Sequence, residues 1–261
     1  GILKLINEGK LNLDDDISDL LDNFELYYND NRARISVEEL LRHTSGFTNS
    51  ERDYPSANPE MSLMEWVDSI SKSELKFEPG SSYSYANTNY NLLGAIIENV
   101  SGKSYKEYME EEILIPLQLE NVFVGTPSKD VMICEGTRLG YGIAFDYEID
   151  VKEGRIPAGY LYADIEDMCR YLMIQLGDAK IPEEYKKLID SSHEYLLYGE
   201  NPASYFAGWE YFGSGIIGHS GGTPNYSSRM IFSKEKDIAV CVLANMNAAA
   251  SIDRLCDDIF A

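Results

Sequence analysis

Positive charge is what this sequence has least of. Across 261 residues, 22 Lys and Arg stand against 44 Asp and Glu, a formal charge of −22. A field of that sign repels nucleic acid and anionic membrane surfaces, so neither is an expected partner. It also repels a substrate carboxylate unless a local cation offsets it at the site. Cysteine is sparse as well: Cys134, Cys169, Cys241 and Cys256 form neither a C-x-x-C pair nor a metal-ligand spacing. Cys169 and Cys256 fall in helical patterns and Cys241 in an apolar run, where cysteine behaves as a small buried hydrophobe. Unpaired thiols are therefore expected, which leans toward a reducing compartment, although the even number leaves a disulfide open. No apolar run is long enough to span a membrane. The acidic run Asp14-Asp15-Asp16 lacks the spacing and closing glutamate of an EF-hand and reads as a solvated turn. No metal or organic cofactor is implied.

What is present is the composition of an ordinary globule, 44% hydrophobic and 25% charged, read as one domain over residues 1–261. Residues 1–9 look like the second half of a helix closed by Gly9. Ser36-Val37-Glu38-Glu39, Ser62-Leu63-Met64-Glu65 and Ser104-Tyr105-Lys106-Glu107 are capping boxes that open helices. Asp164 caps another, and Pro182 stands at the first turn of the next. Residues 11–200 thus read as a mostly helical lobe, with 121–156 as loops over a cleft. Residues 201–261 read as an antiparallel sheet and a C-terminal helix: strands at 205–211, 215–219, 226–232 and 238–244, then a helix from Ile252 to Phe260. The expected class is α/β (α+β), an antiparallel sheet flanked by helices plus a helical lobe.

The most chemically suggestive stretch is Phe77-Glu78-Pro79-Gly80-Ser81-Ser82-Tyr83-Ser84-Tyr85-Ala86-Asn87. Pro79-Gly80 makes a turn, and the apolar stripe at 92, 93, 96, 97 and 100 makes a helix behind it. Tyr85 and Asn87 are expected on a loop held rigid by that helix. There a tyrosine of lowered pKa moves a proton and a carboxamide orients a substrate. Tyr27-Tyr28-Asn29 repeats the spacing, so specificity must come from the longer frame. His43 lies near a serine but ends a capped helix, where its ring is expected to satisfy the last carbonyls. His219, taken alone, is a histidine at a strand end.

Three further segments frame that loop in chain order: Leu40-Leu41-Arg42-His43-Thr44-Ser45-Gly46-Phe47, Pro157-Ala158-Gly159-Tyr160-Leu161-Tyr162 before Asp167-Met168, and Gly208-Trp209 followed by Gly218-His219-Ser220-Gly221-Gly222-Thr223. Together they resemble the serine β-lactamase and penicillin-binding-protein superfamily, in its class C β-lactamase-like branch, over nearly the whole chain. The resemblance implies a serine hydrolase that transfers acyl groups from a β-lactam, D-amino-acid peptide or ester through an acyl-serine. In it Tyr85 is the proton carrier, Asn87 the orienter of substrate and lysine, and His219 with Ser220 a polar clamp, while Gly221 and Gly222 let a substrate backbone approach. Histidine leads that last motif where the family more often has lysine. The family's Ser-x-x-Lys pair is not found in the helix that should bear it. The resemblance makes residues 1–9 the tail of that helix, so the nucleophile is expected upstream of Gly1 and the chain alone is expected to be inactive. A non-catalytic ligand-binding or sensor domain is the alternative, and the upstream sequence separates the two. Expected partners are small-molecule or peptide substrates. The compartment is the cell envelope or exterior if a signal peptide precedes the chain, otherwise the cytoplasm.

Overall fold

Three serines set three helices. Ser36, Ser62 and Ser104 each accept the backbone N–H three residues on, and Glu39, Glu65 and Glu107 each return a bond to the serine's own N–H, closing the capping boxes. The computed structural model describes residues 1–49, 61–140, 143–147, 151–198 and 205–260. The chain begins with α1 (Ile2–Asn7), followed by Gly9 at φ 69, and α2 (Ile17–Leu20), capped by the Asp16 carboxylate. Asp15 accepts the Asn12 N–H, so this part of the acidic run organises a turn. A small hairpin, β1 (Leu26–Tyr28) with β2 (Asn31–Ala33), leads to α3 (Val37–Leu41), and α4 (Leu63–Ile70) follows.

The central helix is α5 (Asn87–Ser101), ended by Gly102 in the left-handed conformation. After it, α6 (Tyr105–Met109) passes through a π turn into α7 (Ile115–Leu117). Residues 121–156, expected as loops, carry strands: β3 (Val122–Val124), and the pair β4 (Thr137–Gly140) and β5 (Ile143–Asp146). β3 pairs with β6 (Leu161–Ala163) from beyond the region. These strands are three or four residues long and partly exposed, so they leave no alternating pattern to detect. Two long helices follow, α8 (Ile165–Leu176), capped by Asp164, and α9 (Glu183–Tyr198).

The expected boundary at residue 201 lies outside the described residues. Beyond it the strand expected at 205–211 is two, β7 (Tyr205–Phe206) and β8 (Trp209–Gly213), because Ala207 and Gly208 both take positive φ and reverse the chain. With β9 (Ile216–Gly222), β10 (Ser227–Ser233) and β11 (Ile238–Ala244) they form a five-stranded antiparallel sheet in the order β11-β10-β9-β8-β7. Helix α10 (Ala249–Phe260) lies on one face, burying Ile252, Cys256 and Phe260 against Ile231. The other face gives Phe206, Trp209, Ile217 and Phe232 to a core that continues through Leu92, Ile96, Leu40 and Leu5. One hydrophobic cluster therefore joins sheet and helices, and the seam between them is where the candidate residues meet. Among the described residues no helix is long and apolar enough to cross a membrane.

Candidate active site

The site starts from the turn that ends α3. His43 takes φ 56, and the residues after it hold the Tyr85 loop by its backbone. The His43 carbonyl accepts the Ser84 N–H at 2.9 Å, Thr44 O accepts the Gly80 N–H at 2.8 Å, and Gly46 O accepts the Lys76 N–H at 2.9 Å. Gly46, at φ 95, has no room for a side chain, because a Cβ there would lie 2.5 Å from the Phe77 carbonyl oxygen. The His43 ring is fully buried and does not cap its helix as expected. Its Nδ1 accepts the Ala86 N–H at 3.2 Å and faces the Asn89 amide at 2.9 Å. The helix carbonyls are met by backbone N–H groups instead, Arg42 N to Glu38 O and Thr44 N to Glu39 O.

On this support Tyr85 meets His219. Their ring centroids are 6.1 Å apart, although one comes from the loop before α5 and the other from β9. Beside both stands Tyr205, almost fully buried, with its hydroxyl 3.2 Å from His219 Nε2 and its ring 5.9 Å from that of Tyr85. Asn87 is the first residue of α5 rather than part of the loop, and it is exposed. Ser220 turns away from His219: it is exposed, its Oγ lies 3.5 Å from Asp253 Oδ1 on α10, and it pairs across the sheet with Arg229. Its hydroxyl therefore does not join the His219 ring in a clamp, and what Ser220 brings to the cleft is its backbone.

A Cβ at Gly221 would lie 2.4 Å from the Ser228 hydroxyl, which would have to turn aside, whereas Gly222 opens onto free space. β10 pairs with β9 as far as Gly222, but β8 pairs with it only along 216–218. Residues 219–222 thus offer one strand edge that no strand among the described residues covers, beside Tyr85 and Tyr205.

The electrostatics run against one expectation. The Tyr85 phenol is held above its ordinary value, not below, by burial and then by the Glu210 carboxylate. Burial also pushes Tyr83 up to about 12, with Glu210 and Tyr85 adding to it. His219 is lowered by burial, opposed by Glu210 and by a bond with the Ser220 backbone, so it is neutral at pH 7. Glu210 pairs across the sheet with both Tyr205 and Gly218. Neither it nor Tyr205 carries a local sequence signal, since tyrosine and an isolated glutamate are ordinary in strands. Among the described residues no cluster of three His, Cys, Asp or Glu could hold a metal ion.

Ser-x-x-Lys brings its two side chains to one face only within a helix. As a string the spacing occurs at Ser69–Lys72, Ser73–Lys76 and Ser233–Lys236, but α4 ends at Ile70 and the other two lie outside helices, so none forms the pair. At the amino end of α1 a cavity of about 240 Å³ lies behind the aromatic cluster, lined among others by Gly1, Leu41, Tyr90, Tyr171, Ala207 and Trp209.

The family profile described as Beta-lactamase matches residues 1–258. This chain belongs to the Beta-lactamase family. Protein flp of Staphylococcus aureus (strain N315) is 32% identical over 255 residues, covering 95% of this chain and 50% of that protein. The chain thus spans about half the length of the curated relatives it matches. Among solved structures, the octameric penicillin-binding protein homologue from Pyrococcus abyssi superposes with a TM-score of 0.74 at 28% identity, over 94% of this chain and 58% of the other. A class C β-lactamase superposes with a TM-score of 0.75 at 18% identity, over 95% and 73%, and supports the fold alone. The mixed helix and antiparallel-sheet architecture of this Beta-lactamase-family chain is that of the serine β-lactamases and DD-peptidases.

Proposed function

We propose that this chain forms the greater part of a serine hydrolase that transfers acyl groups from a β-lactam, D-amino-acid peptide or ester through an acyl-serine. The observation that carries this reading is the meeting of Tyr85 and His219, 6.1 Å apart, beside an uncovered strand edge. The serine belongs to the helix that α1 continues, N-terminal to Gly1. Its Oγ passes its proton to the Tyr85 phenolate as it adds to the substrate carbonyl, Tyr85 hands that proton to the leaving alcohol or amine, and water, losing a proton by the same route, then releases the acyl group and restores the serine hydroxyl. Asn87 orients the substrate and His219 forms the polar far wall. Burial and Glu210 hold Tyr85 protonated in the 261-residue chain, and a protonated phenol cannot take the serine proton. Taking the serine proton first requires a cation beside it, which a lysine one helical turn from the serine supplies.

The test uses the protein in its natural length and the 261-residue chain side by side. A serine-directed phosphonate should add covalently to the former at a serine N-terminal to Gly1, and the latter should turn over neither a chromogenic penicillin nor an ester. An adduct mapped within residues 1–261 overturns the assignment of the nucleophile. In the natural-length protein Tyr85→Phe should lower kcat by roughly 10²- to 10⁴-fold, while Tyr27→Phe leaves it unchanged. Equal effects of the two would make Tyr85 a mere loop residue.

A further inference from the structure

We infer that His43 is the positioning residue of Tyr85: it grips the backbone amides of the residues on both sides of that tyrosine, Ser84 and Ala86, and thereby fixes the depth and angle of the phenol in the cleft. The Ser84 N–H goes to the His43 carbonyl at 2.9 Å, and the Ala86 N–H goes to the His43 ring at 3.2 Å. Tyr85 lies between those two residues, and among the described residues no other residue binds the amides on both sides of it. The left-handed backbone at His43 turns carbonyl and ring toward the same loop. At the end of a helix that conformation suits glycine or asparagine, so a histidine there carries strain that its bonds to the loop offset.

The hydrogen bonds also fix the ring's state. Asn89 Oδ1 accepts the Ser45 hydroxyl at 2.6 Å, so its amide N–H₂ faces His43 Nδ1 at 2.9 Å, where the Ala86 N–H already points. Two donors at one nitrogen require a lone pair, which assigns the ring proton to Nε2. That nitrogen is buried without a hydrogen-bond partner among the described residues. Protonating Nδ1 would break both bonds and bury a charge, and burial, with His219 adding, holds the ring's pKa at about 3. The ring packs 4.3 Å from Tyr85 and 4.5 Å from Tyr205, whose hydroxyl touches His219. His43 is therefore a hub that sets Tyr85 relative to the β9 wall. A residue that merely filled core volume would need neither the acceptor nor the left-handed turn.

Asparagine separates these roles, since its Oδ1 replaces Nδ1 and it tolerates positive φ, while glutamine puts its oxygen near Nε2. In the 261-residue chain with 13C-labelled tyrosine, the Tyr85 phenol should titrate at lower pH in His43→Gln and His43→Ala than in wild type, as water enters, and near the wild-type value in His43→Asn. Folding is checked by thermal melting. An unshifted Tyr85 in a folded His43→Gln or His43→Ala variant overturns the inference, and should neither variant fold while His43→Asn does, the requirement for an acceptor stands. The catalytic half rests on the proposed acyl transfer. In the natural-length protein His43→Ala should lower kcat roughly 10- to 100-fold with KM within about threefold, and His43→Asn should recover most of the loss. In a Tyr85→Phe background His43→Ala should add no more than about a twofold loss, because it acts through the absent hydroxyl. An equal loss in both backgrounds makes His43 structural only. If the wild-type protein hydrolyses nothing, the proposed function fails, and the titration alone still decides the role of His43.

Discussion

At the scale of single residues, the buried His193 gives the molecule an acid sensitivity separate from any catalysis. His193 stands on α9 with its Nε2 2.9 Å from Gln175 Oε1, its ring 5.2 Å from that of Phe232, and its Nδ1 without a hydrogen-bond partner among the described residues. Burial lowers it to about 4, Lys234 adds to that, and Asp190 opposes it. A pKa depressed on folding means that the unfolded chain binds more protons. The stabilisation is complete above the unfolded value near 6.5 and is lost as pH falls toward the folded value. His193→Gln keeps a polar partner for Gln175 and removes the titration. Its loss of stability between pH 7 and pH 4.5, read from urea midpoints, should be smaller than that of wild type by about 2 kcal/mol. Equal losses would mean that His193 titrates normally and that carboxylates account for the whole acid effect.

At the scale of elements, the turn at 43–46 decides whether the Tyr85 loop stays seated. Gly46 and Gly9 both have positive φ, at 95 and 69, but a Cβ at Gly46 would strike the Phe77 carbonyl whereas one at Gly9 meets nothing within 4 Å. Gly9→Ala should therefore cost only the backbone penalty of about 1–2 kcal/mol, and Gly46→Ala clearly more, with exposure of the loop to hydrogen exchange. Similar urea midpoints for the two would show that the loop yields without loss. The elements that the sequence shows plainly are those whose signals are local: the boxes at Ser36, Ser62 and Ser104, the Asp164 cap, and the hairpin turn between Ser233 and Ile238. Tyr85 and His219 stand out in the sequence as motif residues, and the fold places their rings 6.1 Å apart. The start of α5 was not legible, because its apolar stripe begins at Leu92 while the helix begins at Asn87, behind a cap residue, Ala86, that has no capping side chain. Nor were Tyr205 as a partner of His219 or His43 as the holder of Ala86, since both contacts arise only when segments distant in sequence are packed together.

At the scale of the whole molecule, the question is what a formal charge of −22 does to substrate choice. The sequence suggested that a local cation would have to offset it for a carboxylate-bearing substrate. In the cleft His219 is neutral at pH 7 through burial, and the carboxylate that acts on it, on Tyr83 and on Tyr85 is that of Glu210, a negative charge. Near and far fields thus act in the same direction, against anions. They differ in reach: surface charge is screened over about 8–10 Å at ordinary salt, whereas a half-buried group such as His219 is screened much less. For the natural-length protein, kcat/KM on a carboxylate-bearing ester should therefore rise with ionic strength, while that on its neutral methyl-ester analogue stays nearly level. His219→Lys at about pH 8 should raise kcat/KM for the charged substrate at every salt concentration and change the neutral one little, because an ammonium there remains protonated where imidazole does not. The two measurements separate the contributions, the salt slope reporting the distant surface and the substitution reporting the cleft. If His219→Lys alters charged and neutral substrates alike, His219 does not read substrate charge, and its part in the site is the hydrogen bond it shares with Tyr205.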